Sequence, residues 1–212
     1  MRIGMLEATT AALAALAVAS TANAGIVGFV GDTTLEGGWY AFEDEFDVDM
    51  TPIIHGGAIY ETVISIDVPE FNGSLDFDIG HSLRHIGYGW ATWGHGYQGE
   101  VFYNNGSYGT GYDINIPNVT AFDAYIEPNP FLLHTFTITA FGSDGSTETV
   151  VRDAHGSSGA AHFGFYTTDG EALTRIEISG TSDWAMGEWR YALPAPGVLA
   201  LFGLAALTRR RR

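Results

Sequence analysis

Between residues 25 and 193, apolar and polar positions alternate in short runs punctuated by Gly, Asn, Asp and Pro. A period of two marks a half-buried strand, because successive side chains leave the backbone on opposite faces. Residues 74–79 (SLDFDI) place Leu75, Phe77 and Ile79 on one face. Residues 58–68 (AIYETVISIDV) form a long β-branched run that Pro69 should stop. Tyr112, Ile114 and Ile116 share a face, and Pro117 is expected to end that strand. The Thr-rich run 131–141 leads through the turn residues 142–146 (GSDGS) to a partner over 147–152, a hairpin. Further strands are expected over 162–167, 173–179 and 184–191, and no 12-residue window has helical periodicity. Strands this short and this closely spaced predict an all-β fold: one β-sandwich, jelly-roll-like, flanked by an N-terminal signal helix and a C-terminal apolar helix.

The two ends differ from this body. Arg2 precedes an apolar stretch over 11–19, and Ala22-Asn23-Ala24 has the A-x-A form of a cleavage site, so residues 1–24 read as a signal peptide with the mature chain starting at Gly25. The last 19 residues run Pro194-Ala195-Pro196, an uncharged apolar stretch over 197–208, and Arg209, Arg210, Arg211 and Arg212. Twelve helical residues reach about 18 Å, short of the roughly 30 Å of bilayer hydrocarbon, so insertion should be shallow or transient. Four arginines at the end favour the cytoplasmic side and leave the body outside.

A signal peptide paired with such a tail resembles the PEP-CTERM proteins of Gram-negative bacteria, whose Pro-Glu-Pro motif, apolar helix and basic end are recognised by an exosortase. Ala195 stands where that family usually has Glu. The resemblance covers about a tenth of the chain. It implies a cell-surface or extracellular-matrix destination, often linked to exopolysaccharide, with a sorting enzyme as partner and membrane contact through the tail before processing. The C-terminal half also resembles a sandwich domain common in that group, through residues 119–122, 162–165, 173–178 and the aromatic strand ending Trp189-Arg190-Tyr191. Gly187 and Glu188 stand where that domain has Asp and Asn, the Asp being one that can join a structural calcium site.

Composition narrows the partners. There is no cysteine, which removes disulfides from the account, and all nine basic residues are arginine. Five of those arginines lie in the two end segments, leaving four against 24 acids between residues 25 and 193, a net of −20. So acidic a body argues against nucleic acid and anionic lipid, and suits divalent cations or simple solubility.

Two segments carry candidate chemistry. Residues 43–49 hold five carboxylates in seven positions, and Glu43 and Asp44 are the candidate calcium ligands; a solvated edge strand is the other reading. Residues 80–112 interleave glycines with His81, His85, His95 and many aromatics. Trp90, Trp93 and Tyr97 are the candidate sugar-stacking rings; the alternative is that they fill the core. His81 and His85 have a zinc-ligand spacing only if helical, and the Glu of H-E-x-x-H is missing. No nucleophile elbow is present, and 24 acids leave any glycosidase pair unreadable. The expected role is therefore non-enzymatic: a structural or adhesive surface protein in contact with extracellular polysaccharide, with a glycan-active hydrolase as the alternative.

Overall fold

The computed structural model describes residues 25–68, 70, 73–106, 109–168 and 170–194. The signal segment with Ala22 and Ala24, and the tail with Ala195, Pro196 and Arg209 to Arg212, lie outside the described residues; Pro194 is exposed at their edge. No helix among the described residues is long and apolar enough to cross a membrane.

The strands are β1 (Ile26–Phe29), β2 (Thr51–Pro52), β3 (Thr62–Val68), β4 (Gly73–Ile86), β5 (Gly89–Trp90), β6 (Glu100–Tyr103), β7 (Gly109–Val119), β8 (Ala121–Pro128), β9 (Leu133–Gly142), β10 (Thr147–His155), β11 (Ala161–Thr167), β12 (Leu173–Gly180) and β13 (Trp184–Ala192). They form one continuous sheet in the order β1-β11-β8-β13-β6-β4-β7-β12-β9-β10, with β2, β3 and β5 attached at the side. The sheet folds over on itself as a flattened, sandwich- or barrel-like body. Its two end strands meet face to face: a Cβ at Gly28 of β1 would fall 2.5 Å from Val150 of β10.

The fold follows from the alternation. Leu75 and Phe77 of β4, Ile114 and Ile116 of β7, Phe136 and Ile138 of β9, and Phe163 and Phe165 of β11 all enter one core; Ile79 stays half-buried. Trp184 and Trp189 of β13 are among its largest members, Trp189 stacking on Phe102 at 4.5 Å between centroids. The β9–β10 hairpin turns at Gly145, whose φ of +87° suits glycine, with Asp144 accepting from the Ser146 amide.

Three expectations are corrected. Pro117 does not end β7: the strand runs on to Val119, and pairing with β12 shifts register between Arg175 and Leu173, so the missing N–H falls at an irregularity rather than in the ladder. The acidic run is not an edge strand: a π-type turn (Glu36–Tyr40) leads into α1 (Ala41–Phe46), which ends at Asp47 with a φ of 49°. His81 and His85 are not on a helix but both on β4.

His81 is a core residue. Its ring lies 4.7 Å from Phe77 and 5.6 Å from Trp184, and its Nδ1 meets the Ile79 carbonyl at 3.1 Å. Burial pushes the imidazole down to about 4. With the folded value below the unfolded one, this neutral ring supports folding above about pH 6.5, and that support is lost as pH falls towards 4. His81→Leu should therefore remove up to about 3 kcal/mol of the stability lost between pH 7 and pH 4. Urea titrations of both proteins at the two pH values check this; an unchanged difference would contradict it.

Candidate glycan-contact groove

The core is only one side of β8, β11 and β13. On β8, Phe122, Ala124 and Ile126 face the core, while Ala121, Asp123, Tyr125 and Glu127 face the other way, and all are buried. A third layer covers that outer face. One part is the segment from Gly31 to Met50, whose Phe42 lies so close to β11 that a Cβ at Gly164 would fall 2.6 Å from its ring. The other is the loop over residues 89–98, which brings Trp90 and Trp93 against Tyr125 and Ala185.

Polar groups form a strip between the layers. Arg190 donates from Nε to Asp123 at 3.1 Å, from Nη1 to Glu43 at 2.7 Å and from Nη2 to the Trp39 carbonyl at 3.1 Å, with its guanidinium 4.4 Å from the Trp39 ring centroid. His162 meets the same Asp123 at 2.9 Å, and both are fully buried. Glu43 is therefore tied to an arginine. Neither it nor Asp44 belongs to a group of three or more potential metal-ligating side chains among the described residues, nor do His81 and His85.

The three candidate rings are brought together, though not as an open platform. Trp90 and Trp93 are only 7% and 4% exposed. The Trp90 Nε1–H donates to Glu127 at 2.6 Å, and that carboxylate also accepts from Thr92 at 3.1 Å. The Trp93 Nε1–H donates to Glu188 at 2.6 Å. Burial holds the Glu127 carboxyl above its ordinary value, against the opposing pull of the bonds from Trp90 and Thr92. Tyr97 packs 6.2 Å from Trp93 and donates to the Glu100 carbonyl.

A bulge aims Glu188. Pairing of β13 with β8 shifts register between Gly187 and Arg190, and Glu188 takes a φ of 56°. The extra residue keeps Trp184, Met186, Trp189 and Tyr191 in the core while Glu188 turns outward. Gly187 makes room: a Cβ there would sit 2.9 Å from the Glu100 carbonyl and 3.3 Å from Trp93. His95, at a φ of 38°, places Nε2 2.8 Å from Glu188 and Nδ1 3.1 Å from the Thr33 carbonyl. Both ring nitrogens thus face acceptors, which suits the imidazolium. Burial alone would push His95 down; the Glu188 bond and charge, aided by Thr33, hold it above its ordinary value.

Over these rings lie two adjoining hollows. One, of about 180 Å³, is lined by Gly89, Trp90, Thr92, Asn129 and Phe131 among others. The second, of about 300 Å³, is lined by Trp93, His95, Tyr97, Gln98 and Ser158 among others. Ala91 and Thr92 line both, joining them into one groove. Ring edges, hydroxyls and amides therefore line a shallow trough, while Glu127 and Glu188 sit behind the indoles they hold.

Sequence reasoning found the aromatic segment but missed the residues beneath it: Asp123, Glu127, His162, Glu188 and Arg190. The available signal was the pair of acids inside the otherwise apolar run 121–128, since a carboxylate in a fully buried strand requires a partner.

No family model matches the chain, and no curated protein matches it. Among solved structures, it is similar to the CBM22-1–GH10 modules of the N-terminal endo-1,4-beta-D-xylanase 10B of Clostridium thermocellum, complexed with xylohexaose. The similarity has a TM-score of 0.37 and 13% identity, and covers 64% of this chain and 29% of that one.

Proposed function

We propose that this chain is an exported surface or extracellular-matrix protein, delivered by its signal segment and exosortase-type tail, with a non-catalytic structural or adhesive role in contact with polysaccharide along the groove over residues 89–98. The observation that supports this most is the position of the acids. Glycoside hydrolysis needs two carboxyl groups flanking the scissile bond within reach of the substrate. Glu127 and Glu188 are buried behind Trp90 and Trp93, accept their indole N–H groups, and line neither hollow. They act as ring anchors. The trough itself offers aromatic edges with Thr92, Gln98, Asn129 and Ser158, groups suited to hydroxyl-rich ligands.

Ala91→Trp tests the groove. Ala91 is exposed and borders both hollows, so the new indole obstructs the trough without entering the core. On a polysaccharide array the full chain should retain a subset of polymers, with or without a calcium chelator, and the variant should lose at least tenfold of that retention. Equal retention by the variant would reject the groove as the contact.

A further inference from the structure

Outside the groove, two arginine side chains have no hydrogen bond or ion pair among the described residues: Arg84, and Arg152, whose Nε is buried without a partner. Arg175 and Arg190 are both ion-paired, and Asp32 and Asp153 act electrostatically on Arg152. Arg84 instead lies between two rings, its guanidinium carbon 4.2 Å from the centroid of Tyr60 and 5.6 Å from that of Tyr103. In a body with 24 acids, an arginine left to aromatic faces keeps its forked donors free for an anion.

Tyr60 is 57% exposed and sits at a φ of 71°, in the left-handed region that favours glycine. Its amide donates to the Leu83 carbonyl at 2.8 Å, and the Leu83 amide donates to Glu61 at 3.0 Å, so β4 pins the strained residue in place. Tyr88 is 64% exposed, on a tight turn closed by two backbone bonds with His85. The two tyrosine rings are 6.5 Å apart and inclined at 50°. Neighbouring carboxylates are already engaged: Glu61 by His55 and the Ala58 amide, Glu100 by the His55 and Gly56 amides. A Cβ at Gly89 would lie 3.4 Å from the Tyr60 ring, and Gly89 also lines the groove, so the shelf and the groove are continuous.

We infer that Tyr60, Arg84 and Tyr88 form a second contact subsite, for a polysaccharide unit that carries a carboxylate, a uronic acid. The rings cover the apolar face of the sugar while the Arg84 fork takes its carboxylate. This rests on the polysaccharide-contact reading above and names the chemical class of polymer. The acidic body opposes this polyanion as it opposes nucleic acid, but at physiological ionic strength that opposition is screened beyond about 8 Å, which leaves the Arg84 contact to set the preference between the charged and uncharged forms.

Polygalacturonate and its fully methyl-esterified form share a backbone and differ in charge, which makes them the probes. The full chain at physiological salt should bind the acid form at least tenfold more tightly. Arg84→Gln should abolish that preference, so that the variant binds the acid form no more tightly than the ester. Tyr60→Gly should weaken binding of both at least tenfold without lowering Tm, because glycine relieves the left-handed strain. Equal binding of the two polymers by the unaltered chain, an Arg84→Gln variant that keeps the preference, or a Tyr60→Gly variant with a Tm several degrees lower would each overturn the subsite. If these arms fail while Ala91→Trp still removes retention of another polysaccharide, the groove stands and the subsite falls. If no polysaccharide is retained at all, both fall.

Discussion

Arg190→Met should destabilise the protein by about 3–5 kcal/mol, because it leaves the Asp123 carboxylate buried with only His162 beside it. The same substitution frees Glu43 and the Trp39 carbonyl, which dock the segment from Gly31 to Met50 onto β13. The loss should be coupled. Adding Asp123→Asn to Arg190→Met removes the stranded charge and should restore part of the stability, so the two changes together cost less than their sum. Urea denaturation of the two single variants and the double variant measures the coupling. Strict additivity would show that the strip between the layers is not an electrostatic unit.

Trp93→Ala should cost a similar amount, about 3–5 kcal/mol, for a different reason. Trp93 is 4% exposed and packed on Gly187, so truncation opens a cavity beneath the groove and removes a hydrogen-bond donor from the Glu188 carboxylate. Trp93→Phe separates the two contributions. It keeps most of the ring and loses the N–H, and should cost about 1–3 kcal/mol. Polysaccharide retention should follow the wall rather than stability alone: lost in Trp93→Ala, largely kept in Trp93→Phe. Thermal melts and array retention of the two variants check this. Full retention by a folded Trp93→Ala protein would remove Trp93 from the contact.

What the chain reveals in advance divides along physical lines. The β9–β10 hairpin and β12 are legible because each is punctuated by turn residues and presents one apolar face; β11 and β13, though covered on both faces, are legible through their spaced large side chains, Phe163 and Phe165, and Trp184, Met186, Trp189 and Tyr191. β8 is not, because both of its faces are covered and alternation disappears from a strand buried on two sides. The helical segment around α1 is too short for a helical period to emerge, and its carboxylates resemble a solvated edge until Arg190 is seen beside Glu43. The aromatic loop is legible as a segment of interest, but not which way its rings turn. That depends on Glu127 and Glu188, 37 and 95 residues from the indoles they hold, and on a bulge that no local pattern announces. The Tyr60–Arg84–Tyr88 shelf is similarly hidden, since it depends on a left-handed tyrosine and on an arginine left out of the ion pairs.

The central claim is contact with polysaccharide without cleavage, with Glu127 and Glu188 as anchors for the rings. The most direct measurement is the mass distribution of a polymer recovered from the full chain after prolonged incubation at several pH values, alongside an assay for new reducing ends. The account predicts recovery of the intact polymer, with no reducing ends above the protein-free control. Shortened chains that disappear in Glu127→Gln or Glu188→Gln would contradict it, and would make those carboxylates reacting groups instead of ring anchors.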